Sequence, residues 1–580
     1  MDGHVDIERM DMRDDTWDLD FSTASGRIRF SEHGFSADEL NVGFGGSLGA
    51  LSIAVGDYTS GNQHLAEASL RGRFPASTLI SQNARSRWID AWVEGESDWT
   101  LQLTVPREDG AAPKLRVRSD LVGTSITLPA PLRKDVAERL PLDLQLPLPP
   151  ESGELDMRLG RLLRLHGRAD AGGGFNGVAS FGDVPDDTAV PMRGLHIAGQ
   201  IPVLDAAAWG AVASGGTDEA ALYVASADVF AGELNLLDRR FHETRLTMQR
   251  SDTQVELGVE GAMLDGTVLI PLEGLMQKGI TARFQRLHWP ESPESEIHGE
   301  AEEAPGISPA LIPPLHLESL DTRFSGAQLG NVWLESWPTA DGLHVERLDA
   351  HSEVLDLKAK GDWRRGTQGD HSEISLDYSS RDAGAMLGAL GFSRLIDGGA
   401  THGQLRLRWP DAPGAFEWAV ADGELSVHVG QGRVLEVEPG AGRLFGLLSL
   451  TEIPRRLSLD FSDFFKSGFA FNQMAGRFNI ERGNAITDDF QIDAPSAQIL
   501  LRGRTGLAAR DYEQTMEVLP KAGSVLPAIG AIAAGPAGAA VGAVAQAVLR
   551  QPLKDMTRTI YRVTGPWSDP VIEVVEKGGE

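Results

Sequence analysis

The 580-residue sequence predicts a mainly β protein, a long twisted antiparallel sheet with a few short helices. The main observation is period-two alternation, clearest at 355–363, where apolar or small residues alternate with charged ones. Such alternation is typical of a strand with one apolar and one solvated face. Composition supports this class, because 66 glycines and 31 prolines indicate many turns, while 41% hydrophobic residues fit a folded chain.

The individual elements follow from the same pattern. After the strand at 355–363, a turn at 364–370 leads to a second alternating segment at 374–378, which predicts an antiparallel return strand. Further alternating segments lie at 255–259, 405–409, 490–494 and 497–501. Helical patterns are few and short, at 382–390 and 443–450, and 134–140 is expected to form a turn. Strands do not alternate regularly with helices, so a parallel α/β sheet is not expected.

The number of strands leaves two arrangements open. About 30 strands stacked roughly 4.8 Å apart would extend on the order of 140 Å. Open sheets rarely exceed about ten strands without curling or splitting. The sheet therefore either curls into a trough lined by apolar side chains, or divides into sandwiches whose apolar faces meet. Alternation alone permits both arrangements.

Charge and composition exclude several classes of function. The net charge of −30 argues against binding to nucleic acid and against electrostatic docking on anionic lipid. The absence of cysteine excludes disulfides and thiolate metal sites. Residues 45–49 match the letters of a G-x-S-x-G nucleophile elbow, but 51–55 alternates like a strand where the elbow needs a helix, so a glycine-rich turn is expected. No phosphate-loop, dinucleotide or zinc-protease motif occurs, and we expect neither an enzyme nor a cofactor nor a metal site.

An uncharged segment at 522–549 is rich in alanine and glycine and is interrupted by two prolines. Its length would permit a membrane-spanning helix, but its composition makes insertion marginal. It is either a helical hairpin that plugs one end of the sheet or touches a bilayer, or a helix pair buried inside the fold. The candidate plug or membrane-contact residues are Ile529, Ile532, Val541, Val544, Val548 and Leu549.

Several short motifs occur in a fixed order along the chain. They are LPAPLRK at 128–134, the weaker segments 194–199 and 204–209, and then 440–450 (GAGRLFGLLSL), 454–457 and 459–461, 466–471 (KSGFAF), 494–497 (APSA) and 561–570 (YRVTGPWSDP). The first of them resembles a segment of the YhdP-type branch of the AsmA-like envelope proteins, and those from 440 onward resemble, in order, the terminal AsmA-like domain of that family.

The resemblance implies a repeating β-groove protein, anchored in the inner membrane and reaching across the periplasm, that carries phospholipid towards the outer membrane and influences its permeability. Its expected partners are phospholipid and the two membranes. The candidate groove-lining residues are Leu355, Leu357, Trp363, Ile374, Leu376, Leu405, Leu407, Phe469, Phe471, Ile499 and Leu501. For each of them, ordinary core packing is the alternative. For the whole chain, the alternative is a structural or assembly factor with a sealed β core.

The expected organisation combines the motifs with a break in composition. Prolines and glutamates crowd 290–314, which predicts a linker or a long edge loop. The predicted regions are a groove repeat at 1–110, truncated at its N-terminal side, a central region at 111–289, the linker at 290–314, a groove repeat at 315–440 and the terminal domain at 441–580. Residues 1–8 contain neither a basic nor an apolar targeting region, so the family's N-terminal anchor is expected to be absent from this chain. A fragment, a split gene or a mis-called start would each explain that absence.

Overall fold

The computed structural model describes residues 2–14, 19–81, 87–170, 174–182, 190–214, 223–237, 239–291, 308–367, 369–392, 396–435, 469–521, 558–568 and 570–577. The chain divides into two compact units, a first unit at Met1–Leu272 and a second unit at Glu273–Glu580. Strands dominate both units, which confirms the predicted mainly β class.

The first unit is a ladder of strands that pair in chain order. The strands are β1 Gly3–Asp14, β2 Leu19–Ser31, β3 Gly34–Phe44, β4 Ser47–Gly56, β5 His64–Pro75, β6 Val93–Pro106, β7 Lys114–Ser119, β8 Thr124–Ile126, β9 Leu142–Pro147, β10 Leu155–Leu159, β11 Leu163–Ala169, β12 Phe175–Phe181, β13 Leu195–Asp205, β14 Val224–Leu236, β15 Arg239–Arg250, β16 Gln254–Glu260 and β17 Leu264–Pro271. Each strand pairs with the next, except that β7 pairs with β9 and the short β8 pairs with the start of β6.

The second unit continues the same architecture. Its strands are β18 Ile280–Trp289, β19 Leu315–Phe324, β20 Ala327–Pro338, β21 Gly342–His351, β22 Asp356–Gly366, β23 Gly369–Ser380, β24 Ile396–Gly398, β25 Thr401–Pro410, β26 Asp422–Val429, β27 Gly432–Val434, β28 Phe469–Phe471, β29 Gln473–Glu481, β30 Asn484–Asp493, β31 Ala497–Gly506, β32 Asp511–Pro520, β33 Thr559–Pro566 and β34 Val571–Lys577. Within the described part of the chain, only β24, β27 and β28 form a separate small sheet. No second large sheet is therefore present among the described residues to pack on the first as in a sandwich.

The described helices are short, as the sequence predicts. They are α1 Ala76–Ser81, α2 Arg87–Asp90, α3 Ala206–Ser214, α4 Leu275–Lys278 and α5 Ala383–Ala389. The carboxylate of Asp382 caps α5 by accepting a hydrogen bond from the backbone N–H of Ala385 at 2.9 Å, which confirms the helix expected at 382–390. The described residues contain no helix of the length and hydrophobicity that crossing a bilayer requires.

Local turns mostly match their sequence patterns. Gly45 and Gly46 have φ values of +56° and +84° and form the tight turn of the β3–β4 hairpin, so the G-x-S-x-G letters mark a glycine turn, as predicted. The hairpin of β22 and β23 is also confirmed, but its turn is shorter than the predicted 364–370. Arg365 still pairs with Asp370 in the strand register, and a hydrogen bond of 2.6 Å joins their side chains.

Three pairings depart from the expected antiparallel pattern. The strand pairs β12–β13, β13–β14 and β18–β19 are parallel, so the ladder is mixed. A parallel connection needs a long crossover, because the chain must return to the same end of the sheet. Helix α3 supplies this crossover between β13 and β14. The Pro- and Glu-rich stretch at 290–314 lies between β18 and β19, which pair directly with each other.

Some expectations concern residues outside the described part. The helix predicted at 443–450, the motifs at 440–461 and the uncharged segment 522–549 with Ile529, Ile532, Val541, Val544, Val548 and Leu549 all lie there. The region limits expected at 110, 290, 314 and 440 stay predictions.

Candidate functional site

One face of the sheet in the first unit carries an unbroken row of apolar side chains across the strands. Each member is the direct cross-strand partner of the next, because alternating strands are held in a register that keeps the same face apolar. This first apolar row consists of Leu40, Leu51, Leu70, Leu101, Val117, Leu144, Met157, Leu165, Ala179, Ile197, Ala227, Met248, Leu257 and Val268. With strands about 4.8 Å apart, the row extends for roughly 60 Å within this unit.

The second unit carries a row of the same kind. This second apolar row consists of Ala282, Leu317, Leu334, Leu348, Ala359, Leu376, Leu405, Leu425 and Phe478. An irregularity between β29 and β30 interrupts the register after Phe478. The ring of Phe478 nevertheless lies 5.4 Å from that of Phe490, where apolar pairing resumes through Leu501, Met516 and Tyr561. Apolar side chains therefore follow one another across nearly the whole ladder of this unit.

The candidate residues from the sequence fall into two groups. Leu357, Trp363, Ile374, Leu376, Leu405 and Leu407 share one face of β22, β23 and β25, on or beside the second apolar row. Phe469, Phe471, Ile499 and Leu501 are 1–5% exposed and belong to a core cluster with Ile396 and Val434 of the small sheet. Leu355 precedes β22 and is only 2% exposed. The sequence treated these residues as one set, but Phe469 and Phe471 belong to β28 of the small sheet itself. Ile499 and Leu501 pack against that sheet in the same core cluster.

Exposure also changes along the first apolar row. Leu40, Leu51 and Leu70 are 0%, 4% and 5% exposed, so this end of the row is a closed core. From Ile197 to Val268, every member of the row is partly exposed. The same is true of the second apolar row, apart from its two alanines. Between the two stretches of the first apolar row, Leu101, Leu144, Met157 and Leu165 are also partly exposed, whereas Val117 and Ala179 are buried. The longest runs of partly exposed row members therefore lie on β13–β17 and on β19–β26, apart from Ala359.

The segment 128–134, with the sequence LPAPLRK, lies on the apolar face of the first unit. Leu132 packs against the core cluster that contains Leu70 and Val117, and also against the cluster of Phe181 and Val229. The segment thus occupies the face at the transition between its closed and its partly exposed stretch. The sequence singled out this motif only by resemblance, and the structure assigns it a position.

Three hydrogen bonds from two side chains hold this segment in place. The ammonium group of Lys134 is buried and donates hydrogen bonds to the carbonyl oxygens of Thr124, at 2.7 Å, and of Asp135, at 2.8 Å. Burial lowers the pKa of Lys134, because desolvation disfavours its charged form. The indole N–H of Trp209 on α3 donates to the carbonyl oxygen of Ala130 at 2.7 Å. Two motifs about 80 residues apart are therefore joined over the apolar face.

The opposite face of the sheet is polar and carries cross-strand ion pairs. Arg116 on β7 contacts Asp143 on β9, with 2.9 Å between Nε and Oδ1, and this hydrogen bond holds the pKa of Asp143 below its usual value. Arg245 on β15 has the same effect on the pKa of Asp228 on β14, at 2.8 Å. These two ion pairs thus lie on the face opposite the first apolar row. The described residues contain no group of three or more His, Asp or Glu side chains with the geometry of a metal site.

Sequence reasoning missed a group of residues at the end of β15. The guanidinium carbons of Arg193 and Arg250 lie 4.9 Å and 4.7 Å from the ring centroid of Tyr223. These residues are separated by up to 57 positions, and no local pattern connects them. The only sequence signal nearby was the weak motif at 194–199, which begins one residue after Arg193.

The fold and its rows define a class of protein: a long, mainly β sheet that presents an extended and partly exposed apolar face. The family model "YhdP protein" matches residues 1–572, and the chain belongs to this family. The chain is also similar to the Intermembrane phospholipid transporter YhdP of Escherichia coli (strain K12), with 23% identity over 565 residues. That alignment covers 92% of this chain and 42% of the relative, so the chain spans less than half of the relative's length. No solved structure shows significant similarity to the chain.

Proposed function

We propose that this chain is part of a lipid conduit of the Gram-negative cell envelope, in which phospholipid acyl chains lie along the apolar rows while headgroups remain in water. The observation that carries this proposal is the continuity of the two apolar rows together with their partial exposure. The name of the similar Escherichia coli protein, an intermembrane phospholipid transporter, supports phospholipid as the cargo. Movement from the inner towards the outer membrane, across the periplasm, is the direction we propose.

The energetics explain why a continuous face suits this task. Burying a methylene group away from water is favourable by a free energy of about 0.8 kcal/mol. Exposing an acyl chain of about 15 methylenes to water therefore costs a free energy on the order of 12 kcal/mol. Contact with an apolar row offsets this cost along the whole path of the acyl chain, because one partly exposed apolar side chain follows another about every 4.8 Å. No catalytic residue is needed for such a step, and the face supplies a path without an energy source.

The alternative function, a structural or assembly factor with a sealed core, is favoured by the closed end of the first unit and by the buried core cluster around the small sheet of the second unit. At the closed end of the first unit, Leu40, Leu51 and Leu70 are buried and unavailable to lipid. The partly exposed stretches on β13–β17 and β19–β26 favour the conduit. A scaffold with a sealed core does not need accessible apolar surface, and large exposed apolar patches promote aggregation.

The decisive experiment changes the charge of one face only. A variant with Leu376→Asp and Leu405→Asp places two carboxylates on the second apolar row. The matched control carries Ser375→Asp and Arg406→Gln, which sit next to those positions on the polar face and change the net charge by the same amount. Each protein receives a photocrosslinking amino acid at Leu425 and is mixed with phospholipid vesicles. We expect phospholipid adducts in the control and a loss of at least tenfold in the apolar-row variant.

Circular dichroism should show unchanged strand content in both variants. Equal adduct yields in the folded apolar-row variant and the control would contradict the conduit. A complete absence of lipid adducts in the unmodified protein would favour the structural alternative.

A further inference from the structure

The arginines that stack on Tyr223 are placed at the edge of the apolar face. Arg250 lies on β15 two residues after Met248, a member of the first apolar row, and therefore points to the same face. The separation along the strand is about 7 Å, comparable to the distance between the phosphate of a phospholipid and the start of its acyl chains. A charged group is thus held directly beside the partly exposed stretch of the row.

Tyr223, on which both arginines stack, is held in place by contacts with its neighbours. Its carbonyl oxygen accepts a hydrogen bond of 2.8 Å from the backbone N–H of Leu195. Gly194 has a φ of +79°, and a Cβ atom at this position would lie 2.3 Å from Cδ1 of Tyr223. Only glycine fits such a contact, so the ring is packed directly against the backbone. The position of the Tyr223 ring is therefore set by backbone contacts with Gly194 and Leu195.

The two guanidinium groups lie within about 10 Å of each other, since both stack on one ring. Two like charges at this distance repel each other, and an anion bound beside them would offset the repulsion. Among the residues that the structure describes, neither Arg193 nor Arg250 forms an ion pair, whereas Arg245 on the same strand pairs with Asp228.

We propose that Arg193 and Arg250, positioned by Tyr223, bind a phosphate group at the edge of the apolar face, namely the headgroup phosphate of a phospholipid whose acyl chains lie on the first apolar row. Guanidinium groups suit this ligand because their planar N–H donors match the oxygens of a phosphate. The inference rests on the proposed conduit and extends it, since it gives the path a contact that distinguishes phospholipids from lipids without phosphate.

The test measures whether this site prefers a phospholipid to a diacyl lipid without phosphate. The full chain carries a photocrosslinking amino acid at Leu257, the cross-strand partner of Met248. It is mixed with vesicles that contain phosphatidylethanolamine and diacylglycerol with the same acyl chains, and the adducts are identified by mass spectrometry. We expect phospholipid adducts to exceed diacylglycerol adducts in the otherwise unmodified protein. In the Arg193→Gln/Arg250→Gln variant, this ratio should fall about tenfold, which corresponds to about 1.4 kcal/mol.

The matched control is the Arg118→Gln/Arg168→Gln variant, which removes two exposed arginines from the polar face of the same unit. It should keep the ratio of the unmodified protein. An unchanged ratio in the Arg193→Gln/Arg250→Gln variant, with lipid adducts still present, would overturn the phosphate site and leave the conduit intact. An absence of any diacyl lipid adduct, at Leu257 and at Leu425 alike, would overturn both.

Inorganic phosphate separates the two sources of this ligand. Titration of the protein with inorganic phosphate, followed by calorimetry, measures binding of the ion itself. Weak binding that disappears in the Arg193→Gln/Arg250→Gln variant, together with the loss of phospholipid preference, supports a headgroup site. Phosphate binding that depends on the arginines while lipid preference does not would assign the site to the soluble ion and overturn the headgroup proposal.

Discussion

The buried ammonium group of Lys134 ties the segment 128–134 to the backbone around it. Two carbonyl oxygens, of Thr124 and Asp135, accept its hydrogen bonds. Lys134→Met keeps most of the side-chain volume but leaves both carbonyls without this donor, so we expect the first unit to lose about 1–3 kcal/mol of unfolding free energy. Urea denaturation followed by tryptophan fluorescence measures this loss. Lys114→Met, at an exposed position of β7, should leave the midpoint unchanged, and an equal effect of the two substitutions would contradict the assigned role.

The ion pair of Arg116 and Asp143 predicts a dependence of stability on pH. The hydrogen bond from Arg116 lowers the pKa of Asp143 in the folded state, whereas burial acts in the opposite direction. A lowered pKa of a carboxyl group stabilises the fold above its unfolded pKa of about 3.9, and this contribution is lost as the pH falls through the folded value.

Arg116→Gln should therefore make the decline of unfolding free energy below about pH 4 shallower. At neutral pH, the loss should be no more than about 1 kcal/mol, because both side chains are partly exposed to solvent. Arg71→Gln, an exposed position on β5, serves as the control. Identical pH profiles for the unmodified protein and Arg116→Gln would contradict the coupling.

At the scale of elements, helix α3 and the segment 128–134 are joined by the indole of Trp209. Trp209→Phe removes the donor to the carbonyl oxygen of Ala130 and retains an aromatic ring. We expect the segment to open more often, with amide hydrogen exchange at 128–134 faster by about three- to tenfold, since a hydrogen bond of this kind contributes about 0.5–1.5 kcal/mol. Trp363→Phe, in the second unit, removes a comparable indole hydrogen bond to Asp370 and should leave exchange at 128–134 unaltered. Equal exchange in all three proteins would show that the two elements are not coupled.

The alternation of each strand explains why the apolar rows are continuous. A shift of the register by one residue would move a whole strand's apolar side chains to the polar face, so each paired strand constrains the next. The rows tolerate the parallel pairs β12–β13 and β13–β14, because Ala179, Ile197 and Ala227 remain in register across them. Continuity of the face therefore depends on register and not on strand direction.

For the whole molecule, the distribution of charge opposes association through the apolar faces. The net charge is −30 at pH 7, and the sequence pI is about 4.9. Near pH 5 the net repulsion between molecules vanishes, so partly exposed apolar faces should associate. We expect light scattering to show a steep increase in particle size between pH 7 and pH 5 at low ionic strength, and a mild detergent should reverse it. Monodisperse protein at pH 5 without detergent would contradict an accessible apolar face.

The sequence predicted the local parts of this fold well. The start of α5 follows from Asp382, whose side chain accepts a hydrogen bond from the backbone N–H of Ala385. The β3–β4 turn follows from Gly45 and Gly46, whose backbone conformations suit glycine. The turn between β22 and β23 is shorter than the sequence predicts. The ion pair between Arg365 and Asp370 extends both strands beyond the residues that alternation alone indicates.

Alternation predicted an apolar face, and strand pairing shows which residues share it, while its role as a lipid groove stays a prediction. The alternation correctly put Leu357, Leu376 and Leu405 on one apolar face of the second unit. It could not show that β24, β27 and β28 cover Ile499 and Leu501, because that contact depends on strands far away in the sequence. The group of Arg193, Tyr223 and Arg250 was missed for the same reason.

The sequence by itself determined the class of the fold, the two faces of each strand and the family to which its motifs point. These properties depend on the period of two residues and on short motifs, which act within a few positions of the chain. Only the tertiary structure decided which strands are neighbours, where the apolar face is covered and where it is accessible. Those properties depend on pairings and packing between residues tens of positions apart, and local patterns carry no information about them.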